Sequence, residues 1–216
     1  MGSLIGLGLS LLYLGIVLLI AIGLRHFKHE LSRNFVHIMA ANWWILVMIY
    51  VDNFAFVVAS ALVFVVINTL NVFYKWIPSI LAHGKLEQWG AVYYSIALFL
   101  LAATTYFNLD LKMVGGVGIL ALGYGDGLAS LVGQRFGRHP YTVFKGHKSL
   151  EGSLTMGVST MVVLGLFFAF FKVSLPFMTL LSLAVIAMVV EALSPYGLDN
   201  LFVPLITALF YFICIF

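Results

Sequence analysis

Apolar runs that approach the length of a bilayer crossing recur from one end of this chain to the other, and they restrict it to few folds. About 20 apolar residues in a helix span roughly 30 Å of hydrocarbon. Lipid offers no hydrogen bonds to a backbone, so a crossing segment either satisfies its own amides as a helix or joins a closed barrel. Barrel strands alternate apolar and polar side chains, and runs such as Ala55 to Ile67 do not alternate. With 63% apolar and only 9% charged residues among 216, the composition lies outside that of water-soluble domains. The expectation is an all-α integral membrane protein, a polytopic bundle of about seven to eight transmembrane helices. With no linker, repeat or low-complexity tail, residues 1–216 read as a single domain.

Hydropathy places eight spans at roughly 3–24, 35–51, 53–73, 90–107, 113–133, 150–171, 175–193 and 200–216. The first has no basic residue ahead of its long apolar run and no small-residue cleavage site before Arg25, so it reads as a span and not a signal peptide. Spans two and three meet at Asp52 and Asn53, which suits a helical hairpin with a tight turn. In this topology Arg25, Lys28, Arg33, Lys75, Lys85, Arg135, Arg138, Lys145 and Lys148 share one side, while Lys112 and Lys172 lie on the other. Basic residues concentrate in cytoplasmic loops, so the first side is expected to be cytoplasmic and both termini to lie outside. His26, His29, His83, His139 and His147 fall on that face, with His37 just inside it. Orientation thereby accounts for the net charge of +3, and nucleic acid is not an expected partner. The single Cys214 has no intrachain partner and reads as a packing residue.

Most of the polar chemistry sits between Gly123 and Gly152. Asp126 lies inside or at the end of the fifth span between Gly125 and Gly127, and an ionisable group there is costly unless it binds or reacts. The plain alternative is a cap for a helix starting at Gly127. Two further carboxylates, Glu191 and Asp199, flank the short loop before the last span, on the same face. Three carboxylates opposed by Arg135, Arg138, Lys145 and Lys148 suit a magnesium nucleotide, because Mg²⁺ takes oxygen ligands from one or two carboxylates and from substrate phosphates. Ser149 can cap the sixth span, whose amino terminus can then receive an anion. Other chemistries fit poorly. His147 interrupts a Walker-like ending in Gly146 to Ser149, and the glycines do not form a dinucleotide fingerprint. The histidines are not set as zinc ligands, and no Gly-x-Ser-x-Gly element suggests a hydrolase.

Four elements in order resemble one family. Asp126, Gly127, Ala129, Gly133, Phe136 and Gly137, followed by Lys148 to Gly152, are similar to the signature of the CTP-dependent polyprenol and lipid kinases. That family includes dolichol, phytol and farnesol kinases and the CTP-dependent diacylglycerol kinase. Glu30 to Arg33 with Val36 and His37 resembles its amino-terminal element, although Asn34 stands where a lysine is usual. Trp89 to Tyr94 resembles another shared stretch, and Glu191 to Pro195 with Asp199 to Leu201 and Pro204 completes the pattern. The resemblance implies transfer of the γ-phosphoryl of CTP, with Mg²⁺, to the hydroxyl of a membrane-embedded isoprenoid alcohol or diacylglycerol.

On this reading Asp126, Lys148 and Glu151 are the catalytic candidates. Asp126, Glu191 and Asp199 are the candidates for metal, and Asn200 is placed to orient one of them. Gly125, Gly127, Arg135, Arg138, Lys145, Lys148, Ser149, Gly152 and Asn200 are the candidates for the nucleotide. Arg33 and His37 are expected either to touch phosphate or the lipid head or to serve the helix end. Two alternatives stand beside this reading. A phosphatidate cytidylyltransferase-like enzyme would share the central block, but its terminal Lys-Asp and His-Gly-Gly elements are missing between Pro195 and Pro204. A small transporter using Asp126 as an ion site would leave the basic loop without a role.

Overall fold

The computed structural model describes residues 2–25, 29–76, 87–143 and 146–216. Its elements are α1 (Gly2–Arg25), α2 (His29–Tyr50), α3 (Phe54–Tyr74), α4 (Gly90–Thr105), α5 (Leu109–Leu120), α6 (Gly127–Phe136), β1 (Pro140–Val143), β2 (Gly146–Ser149), α7 (Leu150–Phe170), α8 (Phe177–Leu193) and α9 (Asp199–Ile215). A π-helical segment, Ala121–Asp126, joins α5 to α6, so that Leu109–Phe136 is one continuous rod. Each of the eight expected spans coincides with a helical segment. By length and composition Phe54–Tyr74, Leu109–Phe136 and Leu150–Phe170 can cross a membrane, and further apolar helices are shorter. The protein is an all-α membrane bundle.

Helix ends follow local chemistry where hydropathy is silent. α2 begins at His29, six residues before the expected span, because Glu30, Ser32, Arg33 and Asn34 continue the helix beyond the apolar run. The tight turn at Asp52 and Asn53 is present. Asn53 caps α3 by accepting a hydrogen bond from the Phe56 amide at 3.0 Å, which satisfies an otherwise orphaned donor. Asn108 caps α5 in the same way through the Leu111 amide. Lys28, Lys85, His26 and His83 lie outside the described residues.

The bundle is apolar outside as well as inside. On α7, Leu154, Val158, Val162 and Leu166 recur at four-residue spacing and are all exposed, a stripe suited to lipid. Cys214, expected to pack, is exposed on the last turn of α9, where Phe212, Ile213, Ile215 and Phe216 are exposed as well. Inside, Trp44 and Tyr106 lock the end of the bundle away from the polar block. The indole of Trp44 donates to the Lys112 carbonyl at 3.0 Å, and the Tyr106 hydroxyl lies 2.6 and 2.7 Å from the carbonyls of Val47 and Val51. Without lipid competing for these donors, each bond fixes one helix against another.

Close helix crossings depend on small residues. α5 packs on α9, and a Cβ added at Gly118 would overlap the Pro204 backbone carbonyl. A backbone cannot yield as a side chain can. Gly118→Ala is therefore expected to destabilise the bundle by about 1–3 kcal/mol, measured as a lowered unfolding midpoint in detergent.

Candidate active site

Three chain segments converge at the end of the bundle formed by the amino termini of α2, α4, α7 and α9. The first is the π segment. Gly123, Gly125 and Gly127 bring its wide turn against neighbouring helices, since a Cβ at these positions would overlap Ala41, Met156 and Ile38 respectively. The glycines thus permit packing, and the helix continues through Asp126, whose side chain makes no cap for α6. A π turn inserts a residue into the helix and re-aims the side chains after it. Here Asp126 Oδ2 comes to 3.4 Å from His37 Nε2 on α2.

The second segment is the turn between α8 and α9. Tyr196 and Gly197 adopt left-handed backbone conformations, with φ of 56° and 79°. Glycine accommodates this without strain, and the turn reverses the chain within a few residues. It sets Glu191, on the last turn of α8, beside Asp199, which opens α9. Asn200 steadies Asp199: its backbone amide and side-chain amide donate to Asp199 Oδ1 at 3.0 and 3.1 Å.

The third segment is a hairpin, which an all-helical expectation did not include. β1 and β2 pair antiparallel, with Pro140 opposite Ser149 and Val143 opposite Gly146. Ser149 ends β2 and caps α7, accepting from the Gly152 amide at 3.1 Å. Lys148, one residue earlier, enters the site and donates to Glu191 Oε1 at 2.6 Å, to Asp199 Oδ2 at 3.2 Å and to the Glu191 carbonyl. Burial alone would lower the pKa of this ammonium, but Asp199 and Glu191 outweigh burial and hold it above the ordinary lysine range. Lys148 is therefore cationic at neutral pH. Glu191 Oε2 also accepts from Ser153 at 3.2 Å, and Ser153 shares a 2.6 Å hydrogen bond with the Tyr141 hydroxyl.

Ligand atoms of Asp126, Glu191 and Asp199 lie within 4.8 Å of one another. Three carboxylates so close repel unless a cation stands among them, and the Lys148 ammonium fills that place. The donor set, all carboxylate oxygen, fits a hard divalent cation such as Mg²⁺. The cluster opens into a cavity of about 800 Å³, which Lys148, Ser149, Gly152 and Asn200 also line.

Other expected residues lie elsewhere. Gly125 and Gly127 serve the helix contacts described above and do not line this cavity. Glu151 turns outward to His139, 2.7 Å from its Nδ1, and accepts from the His139 amide at 3.3 Å, so it anchors the start of the hairpin. Arg135 and Arg138 are exposed, Arg135 over the ring of Phe136. Lys145 lies outside the described residues. Arg33 and Asn34 reach from α2 to Ser130 Oγ at 3.5 and 3.3 Å, one turn beyond Asp126. Ser130, Tyr141 and Ser153 are not among the residues the sequence singles out, and Tyr94 enters it only as the end of the Trp89 to Tyr94 stretch, with no role attached. Ser130 and Ser153 carried a usable signal, since each lies one helical turn past a residue already singled out.

Comparison with known proteins decides the family. The chain is 35% identical over 215 residues to the phytol kinase of Synechocystis sp., covering 95% of this chain and 89% of that protein. It belongs to the polyprenol and lipid kinase family. The dolichol kinase of Schizosaccharomyces pombe is also similar, 38% identical over 90 residues, which is 41% of this chain and 17% of that one. No protein-family profile matches the chain. No solved structure matches it either. In a lipid-alcohol kinase, the cavity's two linings fall into place. Carboxylates, Lys148 and Asn200 form its polar end, while Leu14, Val17, Phe64 and Leu98 form an apolar arm.

Proposed function

We propose that this lipid-alcohol kinase uses CTP and Mg²⁺ to phosphorylate a membrane-embedded isoprenoid alcohol or diacylglycerol at the cytoplasmic face. The observation that carries this reading is the meeting of Asp126, Glu191 and Asp199 around Lys148 where the polar cavity joins an apolar arm. A phosphorylated lipid needs both environments within reach of one hydroxyl. The excess of basic residues on this side of the topology supports the cytoplasmic assignment.

In the reaction the alcohol oxygen forms a bond to the γ-phosphorus, the bond from that phosphorus to the β–γ bridging oxygen breaks, and the nucleoside diphosphate leaves. The hydroxyl proton passes to a base. Asp126 takes that role, because it stands beside His37 on the side of the apolar arm. Glu191 and Asp199 would hold the divalent cation, and such an ion would supply positive charge to the phosphates. Lys148, the Ser149-capped amino terminus of α7 and Asn200 position the nucleotide. Glu151 positions the hairpin through His139. Phosphoryl transfer asks mostly for positioning and charge stabilisation, which a few fixed groups in a small bundle can provide.

The test is transfer of label. Purified protein is incubated with Mg²⁺, with γ-labelled CTP or ATP, and with phytol, farnesol, polyprenols, dolichol or diacylglycerol. Label on the lipid, with CTP preferred, is the expected result. Label only in pyrophosphate together with a CDP-lipid would establish cytidylyl transfer instead, and no transfer from any pair would overturn the kinase assignment.

A further inference from the structure

The apolar arm runs between two helix pairs, α1 packed on α2 and α3 packed on α4. At its mouth, next to His37, stands Tyr94. The two rings meet edge to face at 4.9 Å. Tyr94 is 6% exposed, and its hydroxyl has no hydrogen-bond partner among the described residues. His37 Nε2 is likewise buried without a hydrogen bond among the described residues, although Asp126 is near. Two orphaned polar atoms inside a bundle are costly unless something polar visits them. Their position identifies the visitor's polar end, because they sit where the carboxylate cluster gives way to apolar wall.

The far end of the arm is closed by an aromatic floor. Trp43 of α2 and Phe64 of α3 meet edge to face, with centroids 5.3 Å apart and planes at 88°. Trp43 lies six residues beyond His37, about 9 Å further along the helix axis, so the arm has room for the first carbons of a long chain only. A longer chain has to turn aside. The wall is incomplete at Ile67 of α3, which lines the arm yet is 41% exposed on the lipid-facing surface.

We propose that the arm between the two helix pairs binds the hydroxyl-proximal segment of a long aliphatic alcohol. The hydroxyl sits at Tyr94 and His37, the first carbons lie above the Trp43–Phe64 floor, and the rest of the chain leaves into lipid beside Ile67. Recognition is then confined to the proximal carbons, and total chain length beyond them is not measured. The identity of the head group rests on the kinase reading, while the path of the chain does not.

Two measurements on the full-length protein in lipid nanodiscs test this. Phytol carrying a diazirine on the proximal part of its chain is photolysed, and labelled peptides are mapped; a second probe carries the diazirine at the distal end. Proximal label is expected around Trp43, Phe64 and Leu98, removed by excess phytol, and distal label at Ile67 or on lipid. Proximal label on the outer faces of α7 to α9, or label that phytol does not compete, overturns the proposal. If the proximal label falls as expected but no alcohol accepts phosphate, the chain site stands and the kinase reading fails. In the second measurement, Tyr94→Phe removes only the orphaned hydroxyl and is expected to raise the KM for the alcohol about three- to tenfold with the nucleotide KM unchanged. Ile67→Trp, which narrows the exit, is expected to raise the KM for phytol about tenfold with kcat retained. An unchanged alcohol KM in both variants, or an equal rise in the nucleotide KM, overturns the proposal.

Discussion

Asp126→Asn is expected to lower kcat by on the order of 10³-fold or more while the protein still inserts and unfolds near the wild-type temperature. The two side chains are nearly isosteric, so the packing of the π segment between α2 and α7 is preserved. The amide has lost the negative charge and the capacity to take a proton. Removing that charge also relieves repulsion from Glu191 and Asp199, so stability should hold or rise slightly. Steady-state phosphorylation of phytol and thermal unfolding in detergent, measured on one preparation, separate the two effects. Near-normal kcat would remove Asp126 from the mechanism and return it to a structural partner of His37. A parallel collapse of stability would show that its role is in folding.

How the site was legible depends on what each residue's signal was. Asp126, Glu191 and Asp199 stood out because a carboxylate amid apolar runs has few structural uses, and alternation of the spans placed all three at one end of the bundle. Topology needs only the number of crossings. Geometry needs more, and Glu151 shows it: the Lys148 to Gly152 element made it a catalytic candidate, whereas the pairing of β1 with β2 sets its carboxylate against His139. Gly125 and Gly127 resembled a ligand-cradling pattern, yet what decides their use is how near Met156 and Ile38 pass, and those residues are distant in sequence. α2 begins ahead of the apolar span at 35–51 because polarity ends an apolar run without ending a helix. Tyr94 belongs to the Trp89 to Tyr94 stretch, but nothing in the sequence gives it a role of its own. An aromatic in an apolar helix looks like core, and only the absence of a partner for its hydroxyl among the described residues marks it out.

Lys148 carries the second large effect. All three protons of its ammonium are engaged by Glu191 and Asp199, so it occupies the place among the carboxylates where a divalent cation would bind. Lysine and metal must then compete, or the lysine must exchange a carboxylate for a phosphate oxygen when the nucleotide arrives. Lys148→Met keeps most of the side-chain volume and removes the charge. In the absence of divalent cation it is expected to destabilise the protein by about 3 kcal/mol, since it leaves buried carboxylates uncompensated. Mg²⁺ should then restore much of that loss, because a ligand at about 100 times its Kd stabilises the folded state by roughly 2.7 kcal/mol. The expected signature is an Mg²⁺-induced rise in unfolding temperature that is larger in Lys148→Met than in the wild type. Adding Glu191→Gln and Asp199→Asn to Lys148→Met should abolish that rise, which distinguishes this cluster from cation binding elsewhere. Kinase activity should stay low in Lys148→Met even at saturating Mg²⁺, because the metal replaces the lysine's charge among the carboxylates but not its contact with phosphate. If Mg²⁺ instead stabilises the wild type as much as the variant, lysine and metal occupy separate places, and the carboxylates around Lys148 serve to hold the lysine.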